Sequence, residues 1–198
     1  MIGRSRKDRQ TVVAVADSTF SKELDYIAAA QEGDRQAFGK LVELHRQGVI
    51  NVVYRMCGDS QLAEEAAQEA FIRAWQNVRR YNSRFAFRNW VYRIALNVAI
   101  DDLRRTKETV DIEAEPLAAG TEGPEASLER KERSEQVRQA VLDLPPASRA
   151  VLVLREYEGL TYQEIADALD IPIGTVMSRL NYARSQIRKV LGRYLEVL

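Results

Sequence analysis

Residues 161–187 read TYQEIADALDIPIGTVMSRLNYARSQI, and the fold class follows from this stretch. Thr161-Tyr162-Gln163-Glu164 has the form of a capping box, in which the threonine hydroxyl accepts from an orphan backbone N–H and the glutamate reaches back. Ile165, Ala166 and Leu169 fall on the inner face of the helix expected over 161–169. Ala166 is small, as a close helix crossing requires. Asp170-Ile171-Pro172-Ile173-Gly174 supplies a turn. Thr175 opens a second helix, expected over 175–195, with Val176, Leu180, Ala183, Ile187 and Leu191 on one face. The other side presents Met177, Ser178, Asn181, Tyr182 and Ser185, with Arg179, Arg184, Arg188 and Lys189 around them. One apolar face for a partner helix and one polar, cationic face for the major groove make a helix-turn-helix with its recognition helix. Arginine and lysine supply phosphate affinity, while asparagine and serine meet base edges. An ordinary helical hairpin with a solvated charged face is the competing reading of the pattern alone.

Working upstream, a helix over 147–157 follows Pro145-Pro146, and another from 128 to 144 precedes it. Between Glu108 and Ser127 there is no lysine or arginine. Glu108, Asp111, Glu113, Glu115, Glu122 and Glu125 are mixed there with Pro116, Gly120, Gly123 and Pro124. That composition is a flexible acidic linker. Twenty such residues reach about 60 Å extended and average roughly 25 Å as a coil. Two units held by it can contact DNA sites a turn or two apart.

The N-terminal half is also helical. Gly33-Asp34 separates a short helix from one running to Met56, and Gly58-Asp59-Ser60 breaks the chain again, with Asp59 or Ser60 as N-cap. In the next helix Ala63, Ala67, Ala70, Ala74 and Val78 face inward, with Phe71 and Trp75 beside them as core. Its outer side carries Glu65, Gln68, Glu69, Ile72 and Gln76. A basic, aromatic stretch then alternates Tyr81, Phe85 and Phe87 with Arg79, Arg80, Arg84 and Arg88. Cations that track a backbone and aromatics that stack on bases suit a displaced single strand. The helix expected over 89–107 carries Arg93, Asn97, Asp101 and Arg104 as one polar stripe, spaced four, four and three. Trp90 reads as mainly buried, and His45 as a surface helix residue.

The expected organisation is therefore all-α: a disordered basic tail (1–20), a first helical domain (21–107), the acidic linker (108–127) and a second domain (128–198) ending in the helix-turn-helix. The chain has 198 residues, 29 basic and 29 acidic, for a net charge of zero. A nucleic-acid footprint here must come from local charge. One cysteine (Cys57) and one histidine (His45) exclude an internal disulfide and a structural zinc site within one chain. No apolar run approaches the roughly 20 residues of a membrane span, and Val12 to Ala16 is too short for a signal peptide. These features fit a cytoplasmic protein without membrane insertion. No phosphate loop, metal cluster or nucleophile–base pair is present, so no enzyme activity, cofactor or small-molecule substrate is expected.

Taken together, the two halves resemble extracytoplasmic-function sigma factors, the compact members of the sigma-70 family with regions 2 and 4 only. In the C-terminal half the resemblance rests on Leu144-Pro145, Arg149, Gly159-Leu160, Glu164-Ile165-Ala166, Gly174-Thr175-Val176 and Ser178-Arg179-Leu180. In the N-terminal half it rests on Gly33-Asp34, Gly58-Asp59, Gln68-Glu69, Phe71, Ala74-Trp75, Trp90, Tyr92-Arg93-Ile94-Ala95, Asn97 and Leu103-Arg104-Arg105. It implies a subunit that binds core RNA polymerase at clamp and flap and directs initiation at promoter DNA. An anti-sigma factor commonly restrains such proteins. The resemblance places clamp docking on Glu65, Gln68, Glu69, Ile72 and Gln76. It places −10 recognition on Tyr81, Arg84, Phe85, Phe87, Arg88, Arg93, Asn97, Asp101 and Arg104, with Asn97 facing an unstacked base. It places −35 recognition on Thr175, Met177, Ser178, Arg179, Asn181, Tyr182, Arg184 and Ser185. The sequence departs from the commonest pattern at Met177, Asn181-Tyr182 and Asp170, where relatives often carry basic or aromatic residues and glycine, respectively. The alternative is a helix-turn-helix regulator that binds duplex DNA without joining polymerase. It leaves the basic-aromatic segment unexplained. Replacing residues 108–127 with a neutral linker separates two roles for the acidic segment. Impaired early transcription with intact binding indicates threading through polymerase, and unchanged initiation indicates a simple tether.

Overall fold

The computed structural model describes residues 22–109 and 125–195. The basic tail and most of the acidic linker lie outside the described residues. The described chain forms eight α-helices and no strand. They are α1 (22–31), α2 (Arg35–Cys57), α3 (Ser60–Asn77), α4 (Phe87–Thr109), α5 (Glu125–Leu142), α6 (Pro146–Glu156), α7 (Tyr162–Leu169) and α8 (Ile173–Leu195), with a 3₁₀ turn at Val78–Arg80. Helix α5 begins inside the stretch that composition assigns to the linker.

Several helix ends have a local cause. Asp34 caps α2 by accepting from the backbone N–H groups of Gln36 and Ala37 at 2.8 and 3.2 Å. Asp59 caps α3 in the same way through Gln61 and Leu62, at 2.8 and 3.0 Å. An aspartate cap satisfies donors that have no intrahelical partner and places negative charge at the positive helix end. Gly58 ends α2 at φ 78°, a left-handed position that suits glycine. A Cβ there would also lie 2.7 Å from Leu142 of α5. Pro146 opens α6, where its missing N–H costs nothing.

Helices α2, α3 and α4 pack into one bundle. Ala63, Ala66, Ala67, Ala70 and Ala74 are all buried, so α3 meets its neighbours through methyl groups. Against them stand Leu41, Val49, Val52, Val53 and Met56 of α2 and Val91, Ala95 and Leu96 of α4, all buried. Val78 closes the stripe below α3, as expected. In the second unit Val151, Leu152, Val153 and Leu154 of α6 face Ile165 and Ala166 of α7 and Val176, Leu180 and Ala183 of α8.

The two units share a boundary rather than standing apart. Helix α2 touches α5 and α6, and α4 touches α7. Arg149 is buried there: its guanidinium donates to the carbonyls of Met56 across the boundary and of Leu142 and Leu144 within its own unit. Burial pushes its pKa below the ordinary arginine value, with the Asp143 carboxylate opposing the shift. Cys57 is half-buried, its thiol donating to the Asp59 carbonyl at 3.3 Å, and burial pushes the thiol pKa up, away from the reactive thiolate.

One expectation fails. His45 is not a surface residue: its side chain is 13% exposed, lies 3.0 Å from a Glu23 carboxylate oxygen and packs against Phe87 with the rings tilted by 41°. The bend after α1 brings Glu23 over α2, a contact that helical periodicity within α2 does not reveal. Enlarging the stripe tests the packing: Ala70→Leu should lower the unfolding free energy by about 1–3 kcal/mol in urea denaturation, because a filled helix crossing has no room for the added carbons.

Candidate functional site

Three surfaces stand out, and the helix crossings decide each of them. The first is the outer side of α3. With the alanine stripe turned inward, Glu65, Gln68, Ile72 and Gln76 line a groove of about 990 Å³ between α2 and α3. Phe38, Val42, Phe71 and Trp75 make its apolar floor, with Phe38 and Trp75 rings 5.1 Å apart. Ile72 is 46% exposed on the rim. Glu69 does not line this groove; it accepts from Arg73 at 2.7 Å on the next edge of the helix. Arg35 and Arg46 of α2 complete the rim, and Arg46 sits 3.6 Å from Glu64. Sequence reasoning missed both arginines because α3 alone does not say which neighbour closes the groove.

The second surface runs along α4. Here two expected contact residues are corrected. Tyr81 and Phe87 are buried, at 7% and 1% exposure, so neither ring is free to stack on a strand. They form an aromatic cluster with Trp90, with ring centroids 5.1 to 5.5 Å apart. The Tyr81 hydroxyl donates to the Phe85 carbonyl, and burial pushes its pKa up to about 12. The physical reason is that α4 begins at Phe87, two residues earlier than expected, which turns that ring inward. The loop is anchored by Tyr81 and Phe87 and shows Arg84, Phe85 and Arg88 outward. Trp90 is partly buried against the core, close to expectation.

Beside this loop a recess of about 330 Å³ is lined by Arg73, Asn77, Arg80, Trp90, Arg93, Ile94 and Asn97. It joins the expected Arg93 and Asn97 to Arg80 of the basic-aromatic stretch and to Arg73 and Asn77, which were missed. Their signal was present: positions 73, 77 and 80 are spaced four and three apart, the same face spacing as on α4. Asp101 and Arg104 remain exposed farther along the helix. The recess offers three guanidinium groups, two amides and an indole face. Such a set can hold a phosphate and a planar heteroaromatic ring together.

The third surface is the outer face of α8. Met177, Ser178, Asn181, Tyr182 and Arg184 are exposed, and Thr175, Arg179 and Ser185 are half-buried at its edge. Val176, Leu180 and Ala183 are buried on the opposite face, as expected. Two of the polar groups are already engaged. The Ser178 hydroxyl donates to the Thr175 carbonyl at 3.1 Å, and Arg184 pairs with Glu156 at 2.6 Å. The capping box that sets the helix-turn-helix is present in both directions: Glu164 N–H to the Thr161 hydroxyl at 3.2 Å, and Thr161 N–H to the Glu164 carboxylate at 2.8 Å. Asp170 ends α7 in the left-handed region at φ 54°.

The family profile "Sigma-70 region 2" matches residues 41–109, and "Sigma-70, region 4" matches residues 134–187. The chain is 36% identical over 178 residues to the ECF RNA polymerase sigma factor SigW of Bacillus subtilis, covering 83% of this chain and 94% of that protein. It is 37% identical over 172 residues to the ECF RNA polymerase sigma-E factor of Escherichia coli, covering 81% and 90%. Among solved structures it is similar to CnrH in complex with the cytosolic domain of CnrY, with a TM-score of 0.65 at 24% identity over 87% of this chain and 98% of that one. The sigma factor RpoE of Bartonella quintana, solved with the anti-sigma factor NepR, gives a TM-score of 0.62 at 19% identity over 78% and 96%. These two structures support the helical fold. The chain belongs to the extracytoplasmic-function group of sigma-70 RNA polymerase sigma factors and acts in transcription initiation.

The capping box is open to direct test. Thr161→Ala should cost about 1 kcal/mol at neutral pH by urea denaturation. The Glu164 carboxyl is held below its ordinary value, first by the Thr161 backbone N–H. A depressed folded pKa means its contribution is present above the ordinary carboxylate value and is lost as pH falls through the folded one. Glu164→Gln should therefore be less sensitive to acidification across that window than the parent chain.

Proposed function

We propose that the chain binds core RNA polymerase through the α2–α3 groove, reads and opens the −10 element along α4, and reads the −35 element with α8. Residues 21–107 form the first of these units and residues 128–198 the second, with 108–127 as the link. The observation that carries this reading is the division of faces on one small bundle. An apolar groove with a polar rim lies on one side of α3, while the guanidinium–amide–indole recess lies on the other, shared with α4. The first suits a protein partner, where an exposed aliphatic group over an aromatic floor supplies the anchor. The second suits single-stranded DNA, where cations follow the backbone and planar groups receive bases. Holding a base outside the stack offsets an unstacking cost of a few kcal/mol, so opening proceeds on binding energy.

Arg84, Phe85, Arg88, Arg93 and Asn97 are the contact residues supported by exposure or by the recess, with Arg73, Asn77 and Arg80 added. Tyr81 and Phe87 hold the loop in place instead of touching DNA. Asp101 and Arg104 lie farther along the strand path. Thr175, Met177, Ser178, Arg179, Asn181, Tyr182, Arg184 and Ser185 form the −35 face. Arg184 must exchange Glu156 for a phosphate when DNA binds. Clamp and flap of polymerase, promoter DNA and an anti-sigma factor are the expected partners, in the cytoplasm. No helix of the described residues is long and apolar enough to cross a membrane.

Reconstituted transcription tests the reading: the purified chain, core polymerase and a randomised promoter pool, with RNA 5′ ends sequenced. Discrete starts that share two upstream motifs and are absent with core alone are expected. Ile72→Asp should weaken polymerase binding by about tenfold or more. Arg93→Ala and Asn97→Ala should keep polymerase binding but reduce these starts by about 5- to 100-fold, the value of a lost phosphate or base contact. Absent starts, with tight duplex binding by the chain alone, would favour the regulator reading.

A further inference from the structure

We propose that Met177 is a specificity-determining residue of the −35 face, and that it reads the 5-methyl group of a thymine in the major groove. This rests on the reading of α8 as the −35 helix and adds the base feature that one of its side chains selects. Ile173, Met177 and Tyr182 are 45, 48 and 46% exposed on α8, while Val176, Leu180 and Ala183 are buried on its opposite face. A single exposed apolar group is ordinary on a protein surface. Three within ten residues of one recognition helix are not scattered singly. Ile173 and Met177 are four residues apart and share one edge of the outer face, and Tyr182 stands on the other edge. Between the edges run Gly174, Ser178, Asn181 and Ser185. That strip is low: a Cβ on Gly174 would meet nothing within 4 Å, and the Ser178 hydroxyl is turned back onto the Thr175 carbonyl at 3.1 Å. Nothing bulky there holds the flanking Met177 away from base edges.

The chemistry of the side chain selects the base. A thioether donates no hydrogen bond and accepts only weakly, so Met177 cannot read the donor and acceptor pattern of guanine, cytosine or adenine. Thymine alone carries an apolar group on its major-groove edge, the C5 methyl. Three rotatable bonds let methionine settle on it. Arg184, seven residues on along the same edge, is held by Glu156 at 2.6 Å. The contact at Met177 is therefore apolar, not charged. Tyr182 keeps a hydroxyl at its tip and suits a phosphate on the other edge.

Spacing locates the thymine. Met177 and Asn181 lie four residues apart, about 6 Å along the helix axis. Successive base pairs are about 3.4 Å apart. An amide at Asn181 suits the adenine N6 and N7 groups. The thymine under Met177 thus falls within two base steps of the pair that Asn181 contacts.

The test uses holoenzyme formed from the full chain and core polymerase, on a promoter taken from the start-site mapping. Each −35 thymine, on either strand, is replaced in turn by deoxyuridine, which removes only the methyl group, and affinity is measured by competition at fixed salt. One replacement should weaken the parent holoenzyme about three- to fivefold, the worth of one buried methyl-sized group, and leave the Met177→Ala holoenzyme unchanged. Met177→Leu, apolar and of similar size, should keep the discrimination. The sensitive thymine should lie within two base steps of the position where Asn181→Ala relaxes base preference. No sensitive thymine, or equal losses in the parent and Met177→Ala, overturns the proposal. Loss of core-polymerase binding by Met177→Ala also overturns it, and gives the patch to a protein partner. Failure of the −35 reading itself looks different: the mapped starts then share no −35 motif, or keep it unchanged in the Asn181→Ala and Arg179→Ala holoenzymes, and the proposal falls with it. A thermal melt of Met177→Ala that matches the parent excludes misfolding as the source of any loss.

Discussion

Because Ala63, Ala66, Ala67, Ala70 and Ala74 are all buried, α3 lies close against α2 and α4 with mainly methyl groups on its own side of the contact. That close approach is the constraint on which the rest depends. It fixes the rotation of α3 about its axis, and the rotation decides which side chains look outward. Ile72 then stands over the Phe38–Trp75 floor, and Arg73 and Asn77 fall beside Arg93 and Asn97 of α4. A larger residue on the stripe would move both surfaces at once, since they are opposite edges of one helix. Protein interiors are packed too tightly for such a shift to stay local.

The electrostatics follow a similar logic of placement. In a chain with no net charge, cations stand among other places along α4 with the end of α3 and on α8. Acids stand on α7 and on the rim of α3, close to the first of these groups, and in the segment between the units. Near the surface, a guanidinium left without a partner attracts whichever anion is closest. In the folded chain that anion is a carboxylate for both Arg93 and Arg184. DNA binding by these residues is therefore an exchange of partners, and its net free energy is smaller than the gross contact suggests.

Aromatic residues show why a pattern of residue types can point to the right segment and the wrong atoms. Tyr81, Phe85 and Phe87 alternate with arginine, and the segment is indeed where the loop and recess form. Yet Tyr81 and Phe87 are buried and only Phe85 remains outside. An anchored loop and a stacking platform need the same composition, because a ring gains from burial in either setting. The two-residue difference in where α4 begins separates them. His45 is a parallel case: a histidine on a helix whose burial comes from α1, a segment remote in its own helical period.

Local order was legible without the fold. The caps at Asp59 and Thr161, the breaks at Gly33-Asp34 and Gly58, the alanine stripe and the apolar face of α8 each depend on neighbours within one or two turns. The helical class, the two units and the outward faces of α3 and α8 could therefore be read from the chain alone. Tertiary structure decided what required two elements together. These are the arginine rim that α2 lends to the α3 groove, the recess where α3 meets α4, the burial of Tyr81, Phe87 and His45, and the seating of α7 against α4 through Asp170 and Glu158. Helical periodicity specifies which face of a helix is buried. It carries no information about which other helix buries it, and each of these features is set by that choice.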